Sequence, residues 1–344
     1  MRLVLHGLSA LPVLLSSYRI DQNQRGDHKV LHDCISDKAA LAYLEHTLPQ
    51  IKQPYWLSAP TWRPSREDCH IVSTAYAYPA GSFYQVTTGI FAASPELCFV
   101  QLGARVSRIE LILYGSALCS TFVIDPTAHG GLGTRRPLTS KQKIAKFIAQ
   151  NSHLTGIAPA RRVLPFLVDG AASPPEIFLQ MVLLLPHFLG GFGLPGCETN
   201  HRLLLSPRAR SIARRNTLVP DCCWPEKRLA VEYDSNAEHL TSQQITLDAT
   251  KRLALEKEKF RVVTVTNQQL ADPGHMAGIA REIARRLEIR LRIRSQRFPQ
   301  RQAELYRRGW SLDGLFNPAW LHPAPALTPA DLAALPAPSF PSEA

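Results

Sequence analysis

The sequence predicts an α/β protein, with an α+β N-terminal half and a C-terminal half ordered α-β-β-β-α-β-α. Residues 173–287 hold short apolar, strand-like runs framed by long helical patterns, the order of a mixed sheet with helices on its faces. Residues 1–170 mix helical periodicity with alternating segments, and no internal repeat is visible. At 45% hydrophobic and 19% charged over 344 residues, the composition is that of a folded chain long enough for about two domains.

The opening apolar run, Leu3 to Leu15, is interrupted by His6, Gly7 and Pro12 and is too short to cross a bilayer. With Arg2 before it and Ser16-Ser17 after it, the run also fits a signal peptide; the lack of a clear small-x-small cleavage site weighs against that. Asp37 can cap a helix running to Leu48, in which Leu41, Leu44 and Leu48 recur at spacings of three and four. The segments His70 to Tyr76 and Ser82 to Val86 flank Pro79-Ala80-Gly81 and predict a β-hairpin. Ser94-Pro95-Glu96 opens a helix through Leu97, Phe99, Val100 and Leu102, and a second helix covers Arg105 to Leu118. Gly130-Gly131-Leu132-Gly133 follows no strand pattern, matches no phosphate-binding fingerprint and reads as a flexible connector to a polar helix at Ser140 to Asn151.

In the second half, Ser173-Pro174-Pro175-Glu176 starts a helix that passes through Phe178, Met181, Val182 and Leu185 and stops at Pro186 and Gly190-Gly191. Strands are expected at His201 to Leu205, Val219 to Trp224 and Arg228 to Asp234, the last two joined by a turn at Pro225-Glu226. A helix from Thr241 to Lys259, a strand from Arg261 to Thr266 and a helix from Met276 to Leu287 complete the order. The chain thus divides into residues 1–170, 171–290, a basic helical extension at 291–321, and a Pro/Ala-rich tail at 322–344 that is expected to be disordered.

Lys+Arg number 39 against 28 Asp+Glu, a net +11. Such an excess favours a polyanionic partner and says nothing of fold. Ten arginines against three glutamates between Arg281 and Arg308 supply +7 of it. Arginines near helical spacing there, Arg285, Arg286 and Arg290 among them, fit either a solvated helix face or a backbone contact to nucleic acid without sequence specificity. Seven cysteines, an odd number with no CxxC pair, argue against a disulfide framework or a zinc ribbon and fit a reducing cytoplasm.

The chemistry is expected at Pro220-Asp221 and Leu229 to Asp234. Strand alternation puts Leu229, Val231 and Tyr233 on one face for packing, and Ala230, Glu232 and Asp234 on the other. Hairpin arms of nearly equal length place Asp221 opposite Glu232. Carboxylates so close raise each other's pKa unless a cation joins them, and Mg²⁺ suits one or two carboxylates, waters and a phosphate. The plain alternative is a solvated strand edge.

Taken together, Pro174-Pro175-Glu176, Gly190 to Pro195 with Asn200, Pro220-Asp221 with Trp224-Pro225, Leu229 to Asp234, His239, Asp248 with Arg252, and Val262 to Thr266 resemble the family related to very-short-patch-repair endonucleases, in the restriction-endonuclease-like PD-(D/E)XK superfamily. The resemblance covers residues 173–287 and implies a restriction-endonuclease-like α-β-β-β-α-β core. Ala93 to Cys98 also looks like the upstream region of bacterial proteins carrying this domain, some of them related to type IV abortive-infection antitoxins.

The resemblance implies Mg²⁺-dependent hydrolysis of DNA, with Mn²⁺ as a substitute ion. Asp221, Glu232 and Glu176 would hold the metal, His239 would act as acid or base, and Arg252 would contact a phosphate. Asp234 stands where the superfamily usually has lysine, and Ser235 where glycine is common. Plain readings stand beside these roles: a helix-dipole contact for Glu176, a solvated loop for His239, an i,i+4 ion pair for Asp248 and Arg252, and strand filling for Cys222 and Cys223. The rival to a nuclease is a non-catalytic DNA-binding or antitoxin-like regulator with a toxin or other protein partner. Neither reading involves a membrane.

Overall fold

The computed structural model describes residues 2–17, 25–32, 34, 36–62, 64–74, 77–234 and 242–309, and for His129 and residues 242–248 the backbone alone. The chain is mixed α/β and forms two compact units, one up to Ile177 and one from Phe178. Positions 310–344, including the tail expected to be disordered, lie outside the described residues.

The first unit contains β1 (Leu3–Leu5), α1 (Gly7–Leu15), β2 (Arg25–Gly26), α2 (Lys38–Thr47), β3 (Tyr55–Ala59), β4 (Cys69–Ser73), β5 (Phe83–Thr87) and β6 (Ile90–Ala93). There follow α3 (Pro95–Gly103), α4 (Arg108–Leu118), β7 (Phe122–Ile124), β8 (Leu132–Thr134), α5 (Lys141–Gln150) and α6 (Ile157–Val163). Six strands make one mixed sheet in the order β2-β5-β6-β1-β3-β4. The apolar opening run becomes β1 and α1, with Leu3, Leu11, Leu14 and Leu15 fully buried. Among the described residues no helix is long and apolar enough to cross a membrane.

The expected helix caps are present, Asp37 accepting from the Ala40 N–H and Ser94 from Leu97; the helix expected from Arg105 starts instead at Arg108, where Ser107 forms a capping box with Glu110. Each such cap is worth about 1 kcal/mol. Two expectations fail. β4 and β5 are not a hairpin: β4 pairs in parallel with β3, while β5 pairs with β6 through a turn at Gly89, whose φ of 77° suits glycine. Pairing through β1 and β3 outweighs the nearby Pro-Ala-Gly turn signal. The glycine-rich stretch is not a connector either, because Gly130 and Gly131, both at positive φ, turn β7 back onto β8.

Helix α7 (Pro174–Leu184) holds the division between the units. The second unit continues with β9 (Leu203–Leu204), α8 (Pro207–Ala213), β10 (Thr217–Leu218), β11 (Cys222–Trp224), β12 (Leu229–Asp234) and α9 (Ser242–Lys257). It ends with β13 (Arg261–Thr266), α10 (Asn267–Ala271), α11 (Pro273–Arg286) and α12 (Phe298–Gly309). β11 and β12 form the expected antiparallel hairpin, and β13 adds to β12 in parallel after the α9 crossover.

Three differences from the expected order stand out in this unit. β9 pairs with β10 and not with the β11-β12-β13 sheet. Between β9 and β10 lies the unforeseen helix α8, started by a Ser206 cap and Pro207. The basic run is not one helix: α11 ends at Arg286, Glu288 takes a φ of 59°, and the chain is irregular until α12.

Both faces of β12 are packed, as a strand paired in parallel and crossed by a helix requires. Ala230, on the face expected to carry the acids, is fully buried in a cluster with Leu205, Ala209, Cys223, Ala254, Leu255 and Phe260. The acids therefore occupy only the C-terminal end of the strand. The loop before β9 is fixed to the sheet by Trp224 Nε1, which donates to the Pro195 carbonyl at 2.7 Å, and by paired backbone bonds between Glu198 and Cys223. Gly190 is required in that loop, since a Cβ there would stand 2.4 Å from the Arg301 carbonyl oxygen.

Candidate functional site

The register pairs Cys222 with Val231 and Cys223 with Ala230, which brings Asp221, one residue before β11, level with Glu232. Asp221 Oδ2 accepts the Tyr233 backbone N–H at 2.7 Å, so its carboxylate is held against the end of β12. Its backbone carbonyl accepts from Gln180 Nε2, also at 2.7 Å. The opposition of Asp221 and Glu232 that hairpin symmetry predicts is thus present in the geometry.

Helix α9 lies over this end of the sheet. Lys251 donates its ammonium proton to Glu232 Oε2 in an ion pair whose side chains are 30% and 14% exposed. Its charge also reaches Asp221. Burial pushes the Asp221 carboxyl above the usual range, while the Lys251 charge and the Tyr233 N–H pull it back. The cation expected to reconcile the two acids is therefore represented within the chain by Lys251.

Asp234 ends β12 on the same face as Glu232, opposite Thr266. Arg252, exposed on α9, donates to Thr264 Oγ1 at 3.2 Å. Thr264 is the register partner of Glu232, so Arg252 sits beside the acids. His239 lies outside the described residues, as does the Asp248 side chain, so the expected Asp248–Arg252 pair lies outside them too.

Glu176 is engaged at the start of its own helix, in the first unit. It accepts from the Ala172 N–H at 2.7 Å and from Ser173 Oγ at 3.0 Å, while its own N–H donates to Ser173 Oγ. The Glu176 carboxylate is thus taken up by groups just ahead of its own helix, and Ser173 Oγ serves as the cap acceptor. Arg285 and Arg286 both bond Glu282, at 2.8–2.9 Å and 2.6 Å, and hold its carboxyl down to about 2. Arg290 is exposed in the irregular stretch after α11.

Sequence reasoning missed two residues. Lys251 stands between Asp248 and Arg252, and nothing local marks it as the one turned toward the acids. Gln180 reads as one polar residue in an apolar helix, yet it is buried, and its Oε1 has no hydrogen-bond partner among the described residues.

Among the described residues, no group of three His, Cys, Asp or Glu side chains could hold a metal ion. Among the described residues, the Asp221 and Glu232 carboxylates and the side-chain oxygen of Gln180, whose Nε2 bonds the Asp221 carbonyl, are hard oxygen donors of the kind that suits an ion keeping several waters. All seven cysteines are free thiols. Burial raises the Cys223 thiol to about 12, which fits a packing role and not a ligand. Compared with models of protein families, with curated proteins and with solved structures, the chain matches none.

Proposed function

We propose that the second unit is a metal-dependent endonuclease domain of the restriction-endonuclease-like type, hydrolysing DNA phosphodiester bonds. The observation that carries this reading is the convergence of Asp221, Glu232 and Lys251 at the C-terminal end of a parallel strand pair, the usual ligand edge of such sheets. Asp221 and Glu232 would hold Mg²⁺ or Mn²⁺, with Gln180 Oε1 as a neutral third oxygen in place of Glu176. A bound ion lowers the pKa of a water and offsets charge on the phosphate.

The Tyr233 N–H orients Asp221, and the Gln180 amide fixes the backbone that carries it. Lys251 supplies the positive charge that Asp234 cannot supply from the strand. Arg252 orients a phosphate oxygen, and His239 transfers a proton. Seven free thiols suit a reducing cytoplasm.

One observation favours a second reading, a DNA-binding regulator or antitoxin-like protein without catalysis: the chain's own Lys251 is ion-paired with Glu232. Nicking of supercoiled plasmid in Mg²⁺ or Mn²⁺ separates the two. The nuclease reading expects nicking by the wild type that falls at least about 10³-fold in Asp221→Ala and Glu232→Ala. Equal background in all three proteins would leave the regulator.

A further inference from the structure

The arginines between Arg281 and Arg308 dominate the charge count, but several of them are locally balanced. Glu282 binds Arg285 and Arg286, and Glu304 binds Arg301 and Arg308. A different segment carries unbalanced charge. From Thr199 to Pro220 there are five arginines, at 202, 208, 210, 214 and 215, and no aspartate or glutamate. All five are exposed, and among the described residues none is in an ion pair. Arg210 donates to the Leu205 carbonyl at 2.7 Å, which fixes its stem against the element.

The fold gives these charges a direction. Ala209, Ile212 and Ala213 turn one side of α8 into the cluster that includes Ala254 and Leu255 of α9. The Ser206 N–H donates to Glu258 Oε1 at 2.6 Å and fastens the start of α8 just past the end of α9. Ala254 and Leu255 come three and four residues after Lys251, one turn along the helix that covers the acids. A basic element with its apolar side already used is thus packed beside the helix that roofs the acid site.

We propose that β9, α8 and β10 form a docking surface for the phosphodiester backbone of duplex DNA, delivering the duplex to the Asp221–Glu232 end of β12. The identity of the polyanion rests on the nuclease reading given above. The seven residues of α8 span about 10 Å, the rise of about three phosphates of one strand along the duplex axis. An anionic membrane is the poorer fit, because an interfacial helix needs an outward apolar face, whereas the apolar residues of α8 are packed inward and Leu204 of β9 is the one large hydrophobic side chain that the three elements leave exposed.

The test uses the full chain in EDTA, so that cleavage plays no part, with a mixed-sequence 25-base-pair duplex followed by fluorescence anisotropy. The variant combines Arg202→Gln, Arg208→Gln and Arg215→Gln; it spares Arg210, which bonds Leu205, and Arg214, which has a φ of 50°. Losing three phosphate contacts should lower the salt slope by about 2.7, so that between 50 and 200 mM salt the wild type loses about 40-fold more affinity than the variant. The corresponding Arg→Lys triple should bind like the wild type, which shows that charge and not folding is read.

Arg285→Gln with Arg286→Gln should shift affinity less than about threefold. Asp221→Ala should bind normally even where it fails to nick, so loss of catalysis and loss of docking remain separable. Unchanged affinity and slope in the Gln triple would overturn the proposal. So would a Gln triple that binds DNA normally but loses binding to vesicles containing phosphatidylserine, which would assign the surface to lipid.

Discussion

Two buried ionisable regions of this molecule treat charge in opposite ways. In the first unit His6 is 4% exposed, and its Nδ1 has no hydrogen-bond partner among the described residues. Burial first, and the like charge of Arg105 second, lower its pKa to about 3, so the imidazole is neutral near pH 7. In the second unit the half-buried Asp221 and Glu232 are given a counter-charge, since Lys251 crosses from α9 to Glu232 and its field reaches Asp221. Where a fold only needs to fill space, burial silences a titratable group. Where it gives buried acids a cation, it keeps charge in a place that costs free energy, and that is where chemistry is to be sought.

The largest expected effect comes from breaking the compensated region. Lys251→Met keeps the methylene stem but takes the Lys251 charge away from Glu232, and should cost roughly 3 kcal/mol. Hydrogen exchange of β12 peptides in the full chain measures this. Adding Glu232→Leu removes the stranded charge and should restore most of the loss, because an apolar replacement of a buried pair is often neutral. If Lys251→Met is as protected as the wild type, the pair contributes nothing and the contrast with His6 fails.

A smaller effect is expected from the silenced region, as a function of pH. The unfolded chain protonates His6 below about 6.5, whereas the folded chain resists until about 3, so stability is lost as pH falls through this window. At pH 5 the loss is about 2 kcal/mol relative to pH 7.5. Hydrogen exchange of β1 and α1 peptides should show this loss in the wild type and a flatter profile in His6→Gln. Parallel profiles would mean that His6 is protonated in the fold.

Much of this was legible where the information is local or pairwise. Ser94-Pro95 and Asp37 mark helix starts because capping needs only a side-chain oxygen two or three residues from an N–H. The opposition of Asp221 and Glu232 follows from a short turn with equal arms. Helix α8 was missed, although Ser206-Pro207 repeats the Ser94-Pro95 signal, because seven residues give little periodicity.

The break after Arg286 was also readable. Ile289, Leu291 and Ile293 alternate with Arg290, Arg292 and Arg294, and exposure alternates with them, a period of two that no helix has. Lys251 and the β3–β4 pairing could not be read, because each depends on what another part of the chain brings alongside. The same holds for Glu176, whose residue type suits a metal ligand and a contact at its own helix start equally well.

The most direct test of the central claim, that the acids at the end of β12 are kept for a divalent cation, is calorimetric titration of the full chain with Mn²⁺. One ion should bind the wild type, and at least about tenfold more weakly in both Asp221→Asn and Glu232→Gln. Identical heats in all three proteins would contradict the account and reduce the site to a buried ion pair.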